Sequence, residues 1–148
     1  MPSIYNAQDR AALLARLDGV TPSSSAAWGR MNAGQMVAHL IQSLRMALGE
    51  VECAPKGGPL SFPPLRWLVV HLLPFPKGVP SSPELLQRTP AAELESDRDT
   101  LRVLVERFAA NGPRASFPRH PAFGVMKGRH WGILVYRHID HHLRQFGA

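Results

Sequence analysis

Cys53 is the only cysteine in the 148 residues, so no disulfide can form within the chain and a thiolate-rich zinc site is excluded. Long apolar runs are also missing. The longest, Leu65 to Leu73, is interrupted by Arg66 and His71 and falls far short of the roughly 20 apolar residues of a membrane helix. Met1-Pro2-Ser3-Ile4-Tyr5 lacks a basic segment leading into an apolar one, so no signal peptide is read there. The expectation is a cytoplasmic protein with no membrane partner. Acidic residues are few, 11 against 17 lysines and arginines, for a formal charge of +6. A positive excess attracts nucleic acid when it is clustered. Here the arginines are scattered, interrupted by acids and not interleaved with aromatics, so the charge reads as serving solubility and no nucleic-acid partner is expected.

What is present is the composition of a soluble globular protein, 45% hydrophobic and 19% charged, of a size that forms one domain over residues 1–148 with a real core. Apolar periodicity places a short helix at Gln8 to Asp18, with Ala11, Leu14 and Leu17 inward and Gly19 closing it. Asn32 and Gln35 have the spacing of a capping box. They open a long helix to Leu48 whose stripe is Val37, Leu40, Ile41, Leu44 and Leu48. Glu50 to Pro64 reads as loop, Pro64 to Leu73 as a short helix and Pro74 to Pro83 as a second irregular connection. Ser82-Pro83 and Thr89-Pro90 each set a capping hydroxyl before a proline at the first helical position. A helix carrying Leu94, Leu101, Leu104, Val105 and Phe108 then runs to about Ala110 and stops at Asn111-Gly112-Pro113. The final helix covers about Lys127 to Phe146, with Gly147 as its end. Strand-like alternation and internal repeats are absent. The expected fold is all-α, a four-helix bundle with long Pro/Gly-rich loops.

Four of the seven histidines, His130, His138, His141 and His142, crowd the last helix. His138 and His142 stand four apart and share one face. With Trp131, Leu134, Val135 and Gln145 they lie within about 60° of His138 around the helix, so the imidazoles continue a stripe that is expected to be buried. Buried imidazoles need partners. Hydrogen bonds to backbone carbonyls or Gln145 are one solution, and a shared metal ion is another. One helix face supplies two ligands at good geometry, so a third must come from elsewhere. His39 is the candidate, about 140° from the centre of its helix's apolar stripe and better suited to lining a cleft than to a core. His141 reads as a supporting or packing residue, and Asp140 points to the far side, solvated or paired with Arg137 or Arg144. His71, His120 and His130 have no ligand spacing and read as structural or exposed. Cys53 reads as an inert thiol. The zincin pattern would put a glutamate where Ile139 stands, so peptide hydrolysis by that mechanism is disfavoured.

Trp28-Gly-Arg-Met-Asn-Ala-Gly-Gln-Met-Val-Ala-His39-Leu, with His138-Ile-Asp-His-His142-Leu-Arg-Gln145, resembles the DinB-like superfamily of metal-binding four-helix-bundle proteins. The likeness is strongest to an uncharacterised domain-of-unknown-function branch (family 1569) with a terminal HxDHHLRQFG and a preceding HPxFG. His120-Pro-Ala-Phe-Gly124 matches the second element, and Phe75-Pro-Lys-Gly-Val-Pro80 also fits. The resemblance spans nearly the whole chain and implies a DinB-like bundle holding a divalent metal, zinc or nickel first and iron or manganese next, on His39, His138 and His142. Some relatives are thiol-dependent transferases or isomerases, so it also implies a small-molecule thiol as partner. No catalytic residue follows from it. Metal-assisted hydrolysis by bound water, and a structural or small-ligand-binding bundle without turnover, stay open beside that reading. A homodimer is a further expectation.

Overall fold

The computed structural model describes residues 1–75, 77 and 93–148. Among them the chain is all-helical, with five α-helices and no strand: α1 Ala7–Asp18, α2 Ala33–Ala47, α3 Pro63–His71, α4 Leu94–Asn111 and α5 Gly128–Gln145. A 3-10 turn, Pro59–Ser61, precedes α3. None of the helices is long and apolar enough to cross a membrane. The capping prolines Pro83 and Pro90, and most of the connection expected from Pro74 to Pro83, lie outside the described residues.

The helix boundaries follow local chemistry. Asn6 caps α1 by accepting from Gln8 N and Asp9 N. Asn32 and Gln35 close the reciprocal capping box on α2, which satisfies two N–H groups that a helix start leaves open. Gly49 and Gly147 follow α2 and α5 with positive φ, 81° and 74°, a conformation that glycine adopts without a Cβ penalty. One inward face differs from the expectation. Leu13 and Leu17 are the buried pair of α1, whereas Ala11 is exposed and Leu14 only partly covered. The inward face runs instead through Leu13 and Leu17 into Val20, all three buried.

Helix α2 packs on α4 and α5, and α1 packs on α4 and α5 in turn, so α1, α4, α2 and α5 touch in a closed ring; α3 lies outside it against α5. The ring encloses one core that includes Phe108, Trp131, Met36, Leu40, Leu101 and Leu143. Helix α2 is buried nearly all round, His39 included. Helix α3 is the opposite case. Of its residues only Val70 is buried, and Trp67 is 50% exposed. Arg137 of α5 holds it: the guanidinium donates to Val69 O (2.8 Å), Val70 O (2.6 Å) and Leu73 O, carbonyls that a helix C-terminus leaves without partners.

Candidate metal centre

The His39 side chain leaves α2 towards α5, where His138 and His142 sit one turn apart. One ring nitrogen from each of the three lies within 4.8 Å of the others. His39 Nε2 and His138 Nε2 are 3.1 Å apart, and the three rings meet edge-on with centroids 4.9 to 5.1 Å apart. Nitrogens bound at about 2.05 Å to one tetrahedral ion stand about 3.3 Å apart, so the His39–His138 spacing suits a shared ion. It is equally a hydrogen-bond length.

The donor set fits a metal in its protonation as well. Ligating histidines must be neutral. Burial pushes the His142 imidazole down to about 3, with His39 adding to the effect and the Gln145 hydrogen bond opposing it. Burial and then the neighbouring imidazoles His142, His39, His141 and His120 hold His138 well below its ordinary range. His138 and His142 are therefore neutral near neutral pH and can present lone pairs beside the His39 ring. His39 and His142 are buried while His138 is partly exposed.

The orientation of His142 is fixed by a chain of hydrogen bonds. Gln145 Nε2 donates to Trp28 O at 2.6 Å, which identifies its other atom as the carbonyl oxygen. That Oε1 lies 2.7 Å from His142 Nδ1 and can only accept. The His142 proton is therefore on Nδ1, and Nε2 keeps the lone pair a metal would use. Ala27 N donates to Gln145 O at 2.8 Å, so the segment before α2 grips Gln145 twice. Gly29, with φ 81°, closes this contact, since a Cβ there would stand 2.8 Å from Gln145 Nε2.

The rim of the site is aromatic. Phe75 packs against His138 and His141 at centroid distances of 6.4 and 5.9 Å, Trp28 packs against His141 at 5.5 Å, and Lys77 Nζ stands 4.3 Å over the Trp28 ring. His141 thus borders the site without joining the converging nitrogens. Asp140 faces away, bonded to Arg16 Nη1 at 2.6 Å and Arg144 Nε at 3.0 Å. Arg144 was one of its expected partners; Arg137, the other, is engaged by α3.

The remaining described histidines are bonded away from the three-histidine cluster. His120 Nδ1 accepts from Ala122 N and Phe123 N at 3.1 and 3.2 Å, which makes His120-Pro-Ala-Phe-Gly124 a closed turn with His120 and Gly124 bridged. Burial pushes its imidazole down to about 4. His71 Nε2 and His130 Nδ1 lie 2.7 Å apart. That pairing, across 59 residues, carries no periodic signal in the sequence.

A comparison with protein families matches residues 5–148 to one described as "Protein of unknown function (DUF1569)". No curated protein and no solved structure matches the chain.

Proposed function

The chain belongs to the DUF1569 family, and from that premise we propose that it is a DinB-like four-helix-bundle protein that holds one divalent ion on His39, His138 and His142 and activates a small-molecule thiol for transfer or isomerisation. The closed ring of α1, α4, α2 and α5 supports the bundle, with α3 as an addition to it. The observation that carries the metal assignment is the convergence of one ring nitrogen from each of His39, His138 and His142 within 4.8 Å; the Trp28–Gln145–His142 chain is compatible with it, since it puts the His142 proton on Nδ1 and leaves Nε2 a lone pair. A divalent ion in such a site supplies Lewis acidity, lowering the pKa of a thiol or water that reaches it. The chain's residues do the rest. His39 and His142 are fixed by burial, Gln145 keeps the His142 lone pair inward, and Trp28 and Phe75 give an apolar rim that limits water. Thiol chemistry is favoured over hydrolysis because, among the described residues, no carboxylate joins the three imidazoles and Asp140 is committed to Arg16 and Arg144. A thiolate nucleophile needs less help from a general base than water does.

Protein purified without an affinity tag should carry close to one equivalent of metal, lost in the His138→Ala/His142→Ala double variant. No metal after reconstitution with zinc, nickel, iron or manganese would remove the ligand assignment. A substrate screen with and without a low-molecular-weight thiol then tests the chemistry, and turnover independent of thiol selects the hydrolytic alternative.

A further inference from the structure

A cavity of about 240 Å³ opens between α3 and the start of α5, lined by Arg66, Trp67, Val70, Met126, Lys127 and Arg129 with His130 beside them. Three of these are permanent cations and none is a carboxylate. Among the described residues no aspartate or glutamate forms an ion pair with Arg66, Lys127 or Arg129. Arg66 is held in place by donating through Nη1 to Phe123 O and Val125 O, at 3.0 and 2.8 Å. Arg129 Nε donates to His130 Nε2 at 3.3 Å. Since a guanidinium only donates, the His130 proton is on Nδ1 and is given to His71 Nε2 at 2.7 Å. His71 in turn stacks on Trp67, centroids 5.2 Å apart and planes 18° from parallel, so the indole wall is braced from behind. Burial and then His71, Arg129, Arg66 and Lys127 hold His130 below its ordinary range, in keeping with a positive potential in the cavity.

We propose that this cavity binds a small amphipathic organic anion, its phosphate or carboxylate group on Arg66, Lys127 and Arg129 and its compact apolar body against Trp67, Val70 and Met126. The volume is below the roughly 300–1,000 Å³ of drug-sized ligand sites, which suits a body about the size of one aromatic ring. His130 and His138 are eight residues apart on one helix, about 12 Å along its axis, so a ligand of that size does not reach the three-histidine cluster. The anionic group belongs either to a free small molecule or to a lipid headgroup, with exposed Trp67 and Phe62 entering the lipid in the second case.

Isothermal titration of the full chain with phenyl phosphate, and co-sedimentation with phosphatidylcholine vesicles with and without phosphatidylglycerol, test the site. Each is repeated on Lys127→Gln/Arg129→Gln, on Trp67→Ala and on His138→Ala/His142→Ala. Saturable phenyl phosphate binding is expected, weakened about tenfold by the cation double variant, also weakened by Trp67→Ala, and unchanged in the histidine variant. Vesicle binding that needs phosphatidylglycerol and shows the same variant dependence, without phenyl phosphate binding, assigns the anion to a headgroup. Binding in neither assay overturns the proposal, as does binding that ignores Lys127→Gln/Arg129→Gln. Binding lost only in the histidine variant overturns it too, by assigning the anion to the metal centre.

Discussion

Replacing Gln145 by leucine tests whether the hydrogen-bond chain behind His142 sets the metal centre or merely fills space. Gln145 is 3% exposed and His142 7%, and leucine has a similar volume but neither acceptor nor donor. Two groups lose their partners, His142 Nδ1–H at 2.7 Å and Trp28 O at 2.6 Å. An unsatisfied buried group costs about 1–3 kcal/mol, so the pair sums to about 2–6 kcal/mol, or about 6–18 °C in Tm for a domain of this size. Without Oε1 the His142 proton can move to Nε2, which then loses its lone pair. Metal affinity should then fall about 10- to 100-fold, as when other supporting bonds to ligating histidines are removed. Gln145→Glu separates the two effects. A carboxylate still accepts from Nδ1 but cannot donate to Trp28 O, so stability should fall while metal affinity stays within a few-fold of wild type. Thermal unfolding and competition with a chromophoric chelator give both readouts for both variants. If Gln145→Leu is destabilised yet binds metal as wild type does, Gln145 serves packing only and the orientation argument is refuted.

Gly29→Ala should lower Tm and metal affinity together, because the strained positive φ and the 2.8 Å approach to Gln145 Nε2 act on the same chain; unchanged metal affinity would place Gly29 outside it. Asp140→Asn removes the charge between Arg16 and Arg144 and should cost up to about 1 kcal/mol, less at high salt, with metal content unchanged. A fall in metal content would make Asp140 part of the site. His120 and His142 are pushed down to about 4 and about 3 in the folded chain, against about 6.5 when unfolded. Below pH 6.5 the unfolded state therefore binds more protons than the folded one. Stability contributed by these groups is full above pH 6.5 and is lost as pH falls towards 4 and 3, by up to about 1.4 kcal/mol per pH unit for each. Urea midpoints at pH 7, 6 and 5 at constant ionic strength should fall in that order, and a flat series would contradict the burial of these imidazoles.

The residues that were easy to read act locally. Asn32 with Gln35, Gly49 and Gly147 announce helix ends through contacts within a few positions, and Leu101, Leu104, Val105 and Phe108 repeat at the helical period because one face of α4 meets the core. His39 shows where periodicity stops helping. A stripe identifies the inner face only when the other face meets water, and α2 is buried nearly all round, so an angle of about 140° from the stripe centre carried no information about exposure. The His39 assignment rested on resemblance, and the convergence of its ring with His138 and His142 is a tertiary fact. The two bonds of Gln145 were half legible: its spacing from His142 was visible, but Trp28 O, 117 residues away, was not. The His71–His130 pair and the cations around it went unread because α3 and α5 are joined through side chains from separate segments, with no pattern in either that names the other.

The guanidinium of Arg137 has a dynamic consequence. Helix α3 buries one residue and is held by polar contacts, Arg137 on its last carbonyls, His71 with His130 and Arg66 on Phe123 O and Val125 O, so local opening there should cost far less than global unfolding. Phe75 follows α3 and is covered by the same guanidinium, 5.0 Å from its ring, while its own ring lies on His138 and His141. When Arg137 releases α3, Phe75 is freed to leave the histidines with it. The cover that Phe75 gives His138 and His141 is thus coupled to the local stability of α3. In native-state hydrogen exchange the amides of α3 should exchange well ahead of those of α2, and Arg137→Gln should speed them further while leaving α2 unaffected.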